Sequence, residues 1–410
     1  MTLATAIQPA NPIANVAVCG RFHYHNHIRF LDEAGVLNRF YYAARISVRG
    51  KQLGLPESRV VNGFLKEYAV HLHARLLGDR WRIPIQAFFH DWWQRHALKH
   101  WSQAGILHTM LHGNSRLLIA RAHQEGSLVI GEPVNSHPDD VRSLLNEEHQ
   151  LLGIPGLWET DRIEKRLGEE ALTCDYLLAG SQFVADSFAR HGFPAGNIHV
   201  IPYGVDLRYF SPLTVTDRQE KARDLKGRKF RVICVAQIVL RKGHVYLLEA
   251  WKQLKLPEAE LLLIGRVSDA MRPVLARYKG WFTHIPHVPN HSLREHYCTS
   301  DVFALPSIED GFAYACAEAM GCGLPVITTM NTGAAELLDP GINGFIVPIR
   351  SASAIAEKIE LLYRHRQQAL EMGHAAELKA RAEMGWDLYA EKLVALYRQI
   401  FKAGPRRTGS

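Results

Sequence analysis

Short apolar runs alternate with longer amphipathic stretches along most of this chain. Ile13 to Cys19 reads as a first strand ending at Gly20, and His23 to Gly35 as a helix. Ile106 to Leu111, Ser127 to Glu132, Tyr176 to Ala179 and His199 to Pro202 read as further strands. This alternation predicts a doubly wound parallel sheet. The rhythm breaks at Pro202-Tyr203-Gly204-Val205-Asp206, followed by Phe210-Ser211-Pro212, which reads as a hinge. A second α/β set follows, its strands clearest at Arg231 to Ala236, Glu260 to Ile264, Val302 to Leu305 and Pro325 to Thr328. Trp386, Tyr389, Leu393, Leu396, Tyr397 and Ile400 then place an apolar stripe at helical spacing. The expected division is 1–203, 204–385, a last helix over 386–402 and a disordered tail over 403–410.

A length of 410 residues fits two domains better than one core. Lys+Arg 48 against Asp+Glu 41 leaves a net charge of +7, which suits an anionic ligand or an anionic membrane surface. No basic block is long enough for a nucleic-acid arm. The six cysteines form no C-x-x-C pair and read as buried free thiols of a reducing cytosol. The start lacks a charged segment followed by an apolar one, so no signal peptide is expected, and no apolar run approaches a membrane span. The 22 histidines include no zinc-protease pattern. Phe88 to Trp101 mixes aromatic and basic residues and reads either as a packed helix or as a helix resting on a membrane interface.

The chemistry concentrates in Pro306 to Pro325, PSIEDGFAYACAEAMGCGLP. Asp310 and Glu318 stand eight positions apart around Gly311 and a helical segment. Gly311 lets a ligand approach the backbone, and the helix start offers free N–H groups to a phosphate. Eight helical residues rise about 12 Å, the reach needed for one carboxylate to hold a sugar and another a ribose. Upstream, Lys242-Gly243 precedes a helical pattern, where a cation can neutralise a diphosphate.

Together these segments resemble family-4 glycosyltransferases. Asp310 stands at the first Glu of their E-x7-E motif and Glu318 at the second; Gln237 and Lys242 match their R-x4-K pair, with Arg241 available to replace the charge Gln237 lacks. Gly265, after the strand ELLLI, and His287-Val288 fall where members meet the nucleotide. NTGAAELLDPGING, over Asn331 to Gly344, matches their glycine loop, in which Glu336 is expected to brace the structure. The hinge PYGVDLRYF also matches.

The first half resembles the family more loosely. Gly20 opens a turn expected to face the cleft, and Glu164 to Arg166 and Ser181 to Gly192 match family spacing. Glu132 and His137 lie where members place an acceptor-side residue, with His112 as a third candidate.

The resemblance implies a GT-B fold: two Rossmann-like domains facing across a cleft, the last helix crossing back to the first. It implies a retaining, metal-independent transfer from a nucleotide-diphosphate sugar to a glycan, lipid-linked or small acceptor, in bacterial polysaccharide or cell-envelope synthesis. The setting would be cytoplasmic, with peripheral membrane contact allowed. Lys242, Arg241 and the helix start at Gly311, Phe312 and Ala313 would steady the departing diphosphate. Glu318 would take the ribose hydroxyls and Asp310 the transferred sugar. In the family a phosphate oxygen of the leaving group takes the acceptor proton, so the identity of any protein base, His137 included, stays open. Two other readings share the fold: a nucleotide-sugar 2-epimerase, and an inactive binding protein suggested by Gln237 and Asp310. A nicotinamide-dependent oxidoreductase is disfavoured, because Gly20 stands alone where G-x-G-x-x-G would be needed.

Overall fold

The computed structural model describes residues 12–20, 22–77, 82–154, 162–212 and 227–404. The expectation of a disordered end falls mostly on 405–410, outside the described residues; 403 closes the last helix.

Two parallel sheets form the frame. The first contains β1 (Ala14–Val18), β2 (Leu37–Tyr42), β3 (Val60–Asn62), β4 (Ile106–Leu111), β5 (Leu128–Pro133), β6 (Tyr176–Ala179) and β7 (Ile198–Val200), in the order β3-β2-β1-β4-β5-β6-β7. The second contains β8 (Phe230–Val235), β9 (Ala259–Ile264), β10 (Thr283–Ile285), β11 (Val302–Leu305), β12 (Val326–Thr329) and β13 (Gly344–Val347), in the order β10-β9-β8-β11-β12-β13. Central strands such as β1, β4 and β11 are buried along their whole length, which is why they read as continuous apolar runs.

In each sheet the order reverses beside its first strand, between β1 and β4 and between β8 and β11. Ligands of open parallel sheets bind beyond the carboxyl ends of the strands at such a reversal. The segments leading out of β8 and β11 carry Gln237 to Lys242 and Pro306 to Asp310, so the topology brings these two sequence-distant motifs together.

The sequence pattern passes over β2, β3, β10 and β13. β2 is broken by Asn38 and Arg39 after its first residue, and β3 and β10 are edge strands of three residues. β13 starts on Gly344, the last residue of the glycine-rich stretch read as a loop.

The chain crosses between domains twice. The Val205 N–H donates to Met384 O at 2.7 Å, and Val205 bridges Gly385. The helix Trp386–Ala403 then packs on the helix Tyr24–Glu33 of the first domain. Tyr397 Oη lies 2.7 Å from His108 Nδ1, and Tyr176 Oη donates to Gly404 O at 2.9 Å.

Candidate active site

At the reversal of the second sheet, Lys242 and Arg241 form a short 3-10 turn that leads into the helix His244–Leu254. Lys242 is almost fully buried, and its ammonium donates to the Asp310 carboxylate. Arg241 donates to Glu309 Oε2 and to the Glu309 carbonyl, both at 3.2 Å, and approaches Asp310 Oδ1 at 4.0 Å. Two cations and two carboxylates therefore share one small volume. Burial would raise the Asp310 pKa, but Lys242 and Arg241 outweigh it and hold the carboxyl below its ordinary value. Burial dominates at Lys242, whose pKa is lowered although Asp310 opposes the shift. Gln237 is exposed at the end of β8, while Arg241 supplies a guanidinium beside Lys242.

The loop from β11 does not continue directly into a helix. Ala313 has φ +59°, in the left-handed region, and the helix runs Tyr314–Gly321. Asp310 thus lies outside the helix, and its Oδ1 accepts from the Ala313 N–H at 3.2 Å. The turn and following helix are as expected, but only Tyr314 to Glu318 of the eight-residue spacing is helical, which corrects the reach figured from eight helical residues. The reason for Gly311 also differs from the expectation: a Cβ there would lie 1.9 Å from Val134 O. The glycine admits the backbone of the first domain. Phe312 is buried against Tyr203 of the hinge, with ring centroids 5.1 Å apart.

Glu318 faces a cleft of about 390 Å³, lined also by Asn26 and Trp386 on the first-domain side and by Asn290 and His291 on the other. Tyr297 Oη donates to Glu318 Oε2 at 2.9 Å. Burial pushes the Glu318 pKa up to about 7 against that hydrogen bond. Asn290 and His291 follow His287-Val288-Pro289 in the loop after β10; His287 is exposed and Val288 packs on the core. Gly265, at the end of β9, is a close-approach position, since a Cβ would meet Ala236 O at 1.8 Å.

A larger cleft, about 530 Å³, is lined by Asp140, Asp186, Arg190, Asn331 and Glu336 among others. Its three carboxylates, with Arg190 bound to Asp140, make it a poor seat for a diphosphate.

The first-domain candidates are placed differently from the expectation. Glu132 is fully buried and meets no surface on which an acceptor could rest. It lies 2.8 Å from His23 Nε2 and 3.1 Å from His108 Nε2, and accepts from the Tyr24 hydroxyl. Burial would raise its pKa, but His23 and His108 hold it well below the carboxylate range. His137 caps the helix Pro138–Leu152, its Nδ1 accepting from the Asp139 N–H at 3.3 Å, and stacks on His191 at 3.9 Å. His137, Asp139 and His191 are close enough to suggest a metal. The two rings lie parallel within 11°, so their in-plane lone pairs run side by side instead of converging. Gly20 ends β1 beneath the Phe22 ring, and His112 follows β4 with its ring 5.9 Å from that of His90.

Polar contacts between distant residues hold the domains together. Glu309 is fully buried and accepts from Ser136 N at 3.1 Å and from Ser136 Oγ at 3.0 Å. Ser181 Oγ donates to Gly311 O at 2.7 Å. Glu336 accepts from the Gln182 and Phe183 N–H groups, capping a first-domain helix from the second domain, which is the bracing expected of it. Glu148 accepts from Tyr246 Oη at 3.0 Å and from Arg350. A polar residue beside a motif, as Glu309 is, was visible in the sequence; the partners of the others lie too far away along the chain.

The fold is GT-B, two facing Rossmann-like domains with the last helix returned to the first. Over 95% of this chain it superposes on all of the sucrose-phosphate synthase of Thermosynechococcus elongatus, with TM-score 0.68 and 19% identity. The Anabaena protein HepE, solved in complex with UDP-glucose, matches over 95% of this chain and 100% of its own, with TM-score 0.64 and 14% identity. The family model described as Glycosyl transferases group 1 matches residues 215–379. Among curated proteins, a GDP-mannose-dependent alpha-(1-6)-phosphatidylinositol monomannoside mannosyltransferase of Mycobacterium tuberculosis is 27% identical over 248 residues, 57% of this chain and 63% of the relative. A D-inositol 3-phosphate glycosyltransferase of Xylanimonas cellulosilytica is 27% identical over 259 residues, 59% of this chain and 61% of the relative. The matches thus span about three fifths of these relatives.

Proposed function

We propose that this protein is a retaining glycosyltransferase that moves a sugar from a nucleotide-diphosphate sugar to a glycan, lipid-linked or small acceptor in polysaccharide or cell-envelope synthesis. The observation that carries this reading is the meeting of Arg241, Lys242 and Asp310 at the reversal of the second sheet, close in sequence and fold to the Glu318 cleft. Family and relatives support it: the matched family is one of glycosyl transferases, and the mannosyltransferase relative uses GDP-mannose by name.

In this reading the nucleoside enters the cleft of Glu318, Asn290 and His291, and ribose hydroxyls donate to the Glu318 carboxylate. The diphosphate reaches Lys242 and Arg241, whose charges a leaving group needs most as its bond breaks. Asp310 sits at the pivot. While Lys242 donates to it, the four charges sum to zero and attract an anion weakly. A diphosphate arriving at Lys242 frees the Asp310 carboxylate to accept from hydroxyls of the transferred sugar. No metal is invoked, because the cations needed belong to the chain.

The test is a panel of UDP-, GDP- and ADP-sugars, GDP-mannose first, scored by thermal shift and then by acceptor-dependent release of nucleoside diphosphate. One donor should raise the melting temperature, and Lys242→Ala should lose transfer by roughly two to three powers of ten while staying folded. Release without acceptor would favour an epimerase; activity of Lys242→Ala within a few-fold of the parent would remove Lys242 from the reaction.

A further inference from the structure

We propose that the first domain rests on an anionic membrane surface through the exposed face of the helix Phe64–Leu77, together with Phe88 of the neighbouring helix Arg82–Lys99. Leu65, Tyr68 and Leu72 stand at i, i+3 and i+7, so they share one helix face. They are 53%, 48% and 59% exposed, and Phe88 is 62% exposed. The two helices pack on each other. Single exposed apolar side chains are ordinary; a set of large ones at helical spacing on adjoining helices marks a contact surface.

Charge identifies the occupant. From Arg45 to Lys99 there are ten Lys or Arg against four Asp or Glu, so this segment carries six of the chain's seven net positive charges. Arg45, Arg49, Lys51, Arg95 and Lys99 are exposed. A symmetric contact with a second copy would set this positive segment against itself, whereas anionic lipid satisfies the apolar face and the basic side chains at once. No helix among the described residues is long and apolar enough to cross a membrane, so the contact is one of lying on the surface.

Of the aromatic run Phe88 to Trp101, Phe88 belongs to this surface and the tryptophans do not. Trp93 is buried, Trp101 Nε1 donates to Glu125 Oε2 at 2.8 Å, and Trp92 stacks on His96.

The experiment is co-sedimentation of the full chain with phosphatidylcholine vesicles, with and without about one third phosphatidylglycerol, at low and high salt. It contains neither nucleotide sugar nor acceptor, so it stands or falls apart from the transfer reading. The parent should partition into the anionic vesicles roughly tenfold better than into neutral ones and lose that advantage in high salt. The triple variant Leu65→Ser, Tyr68→Ser, Leu72→Ser should bind roughly tenfold more weakly at an unchanged melting temperature, because these side chains are exposed. Phe88→Ser alone should weaken binding in the same direction and serves if the triple variant misfolds. Equal binding by parent and variants, or equal binding to neutral vesicles, overturns the proposal. So does self-association by light scattering that the variants abolish without any vesicle binding.

Discussion

Glu318 is the residue whose environment says most about its use. Its folded pKa of about 7 stands above the ordinary 4.5, so the folded protein keeps this proton at pH values where the unfolded chain has released it. Raising the pH from about 4.5 through 7 therefore costs stability at this group. Glu318→Gln removes the cost and is expected to raise the unfolding free energy at pH 8 by up to about 3 kcal/mol, with little effect at pH 4. The same substitution should weaken nucleoside diphosphate binding, by roughly 1.5 kcal/mol or more, because a charged acceptor is lost. Denaturant titration and calorimetric binding at the two pH values separate the effects; a variant that gains stability and keeps full affinity would take Glu318 out of the site. Glu309 and Asp310 are adjacent but do different work. Glu309→Gln should loosen the Ser136 contact while leaving Lys242 paired, whereas Asp310→Asn should remove the partner of Lys242. Asp310→Asn is then expected to bind nucleoside diphosphate more tightly and to transfer sugar more slowly. Binding and turnover on both variants would show it, and the reverse pattern would make Glu309 the sugar-holding carboxylate.

Among the elements, the turn between β11 and the helix Tyr314–Gly321 is strained at the site itself. Ala313 holds φ +59°, where an L-residue with a Cβ is disfavoured by about 1 kcal/mol or more. Glycine relieves that clash but enters folding with more backbone freedom to lose. Ala313→Gly is therefore expected to stabilise the protein by no more than about 1 kcal/mol, measured by chemical denaturation. Glu336 caps the helix Gln182–Arg190 across the domain boundary. Glu336→Ala should cost about 1 kcal/mol. It should also widen the particle in small-angle scattering, since the cap is one of the contacts holding the domains closed; an unchanged scattering profile would confine Glu336 to local helix stability.

At the largest scale, a cluster of buried polar groups lies at the waist between the two domains. His23, Tyr24, His27, His108 and Glu132 are buried beside the returning helix, with the His27 and Tyr389 ring centroids 4.8 Å apart. Burial, then His23, lowers the His27 pKa well below 6.5, so protons added below about pH 6.5 favour the unfolded chain. The depressed Glu132 pKa acts in the same direction, its contribution present above about 4.5 and lost as the pH falls further. Burial holds His90 and His244 at about 3, with the same sign. Glu318 and Glu170, both raised to about 7 by burial, oppose this trend between about 4.5 and 7. Melting temperature is expected to fall as the medium is acidified below pH 6. His27→Phe should flatten that fall by removing one neutral buried imidazole; a variant with the parent's acid profile would show that the other groups carry it.

The main strands of both sheets, the hinge, the last helix and the run of motifs from Gln237 to Gly344 were legible in the chain before it was folded. Each of these is written in local periodicity or in contiguous residues, and burial on both faces makes central strands legible as apolar runs. Short edge strands such as β3 carry too few residues for a period to show. What the polar residues meet was fixed by folding. It set Asp310 against Lys242 and Glu309 against Ser136, and it buried Glu132 between two histidines. Ser136 and Glu309 are 173 positions apart and face each other because two separately wound sheets close on one hinge. The same closure made Gly311 a seat for the Val134 carbonyl, where the sequence had suggested a seat for a ligand. Partners chosen across that distance leave no trace in spacing, because spacing encodes only the geometry of the element a residue belongs to.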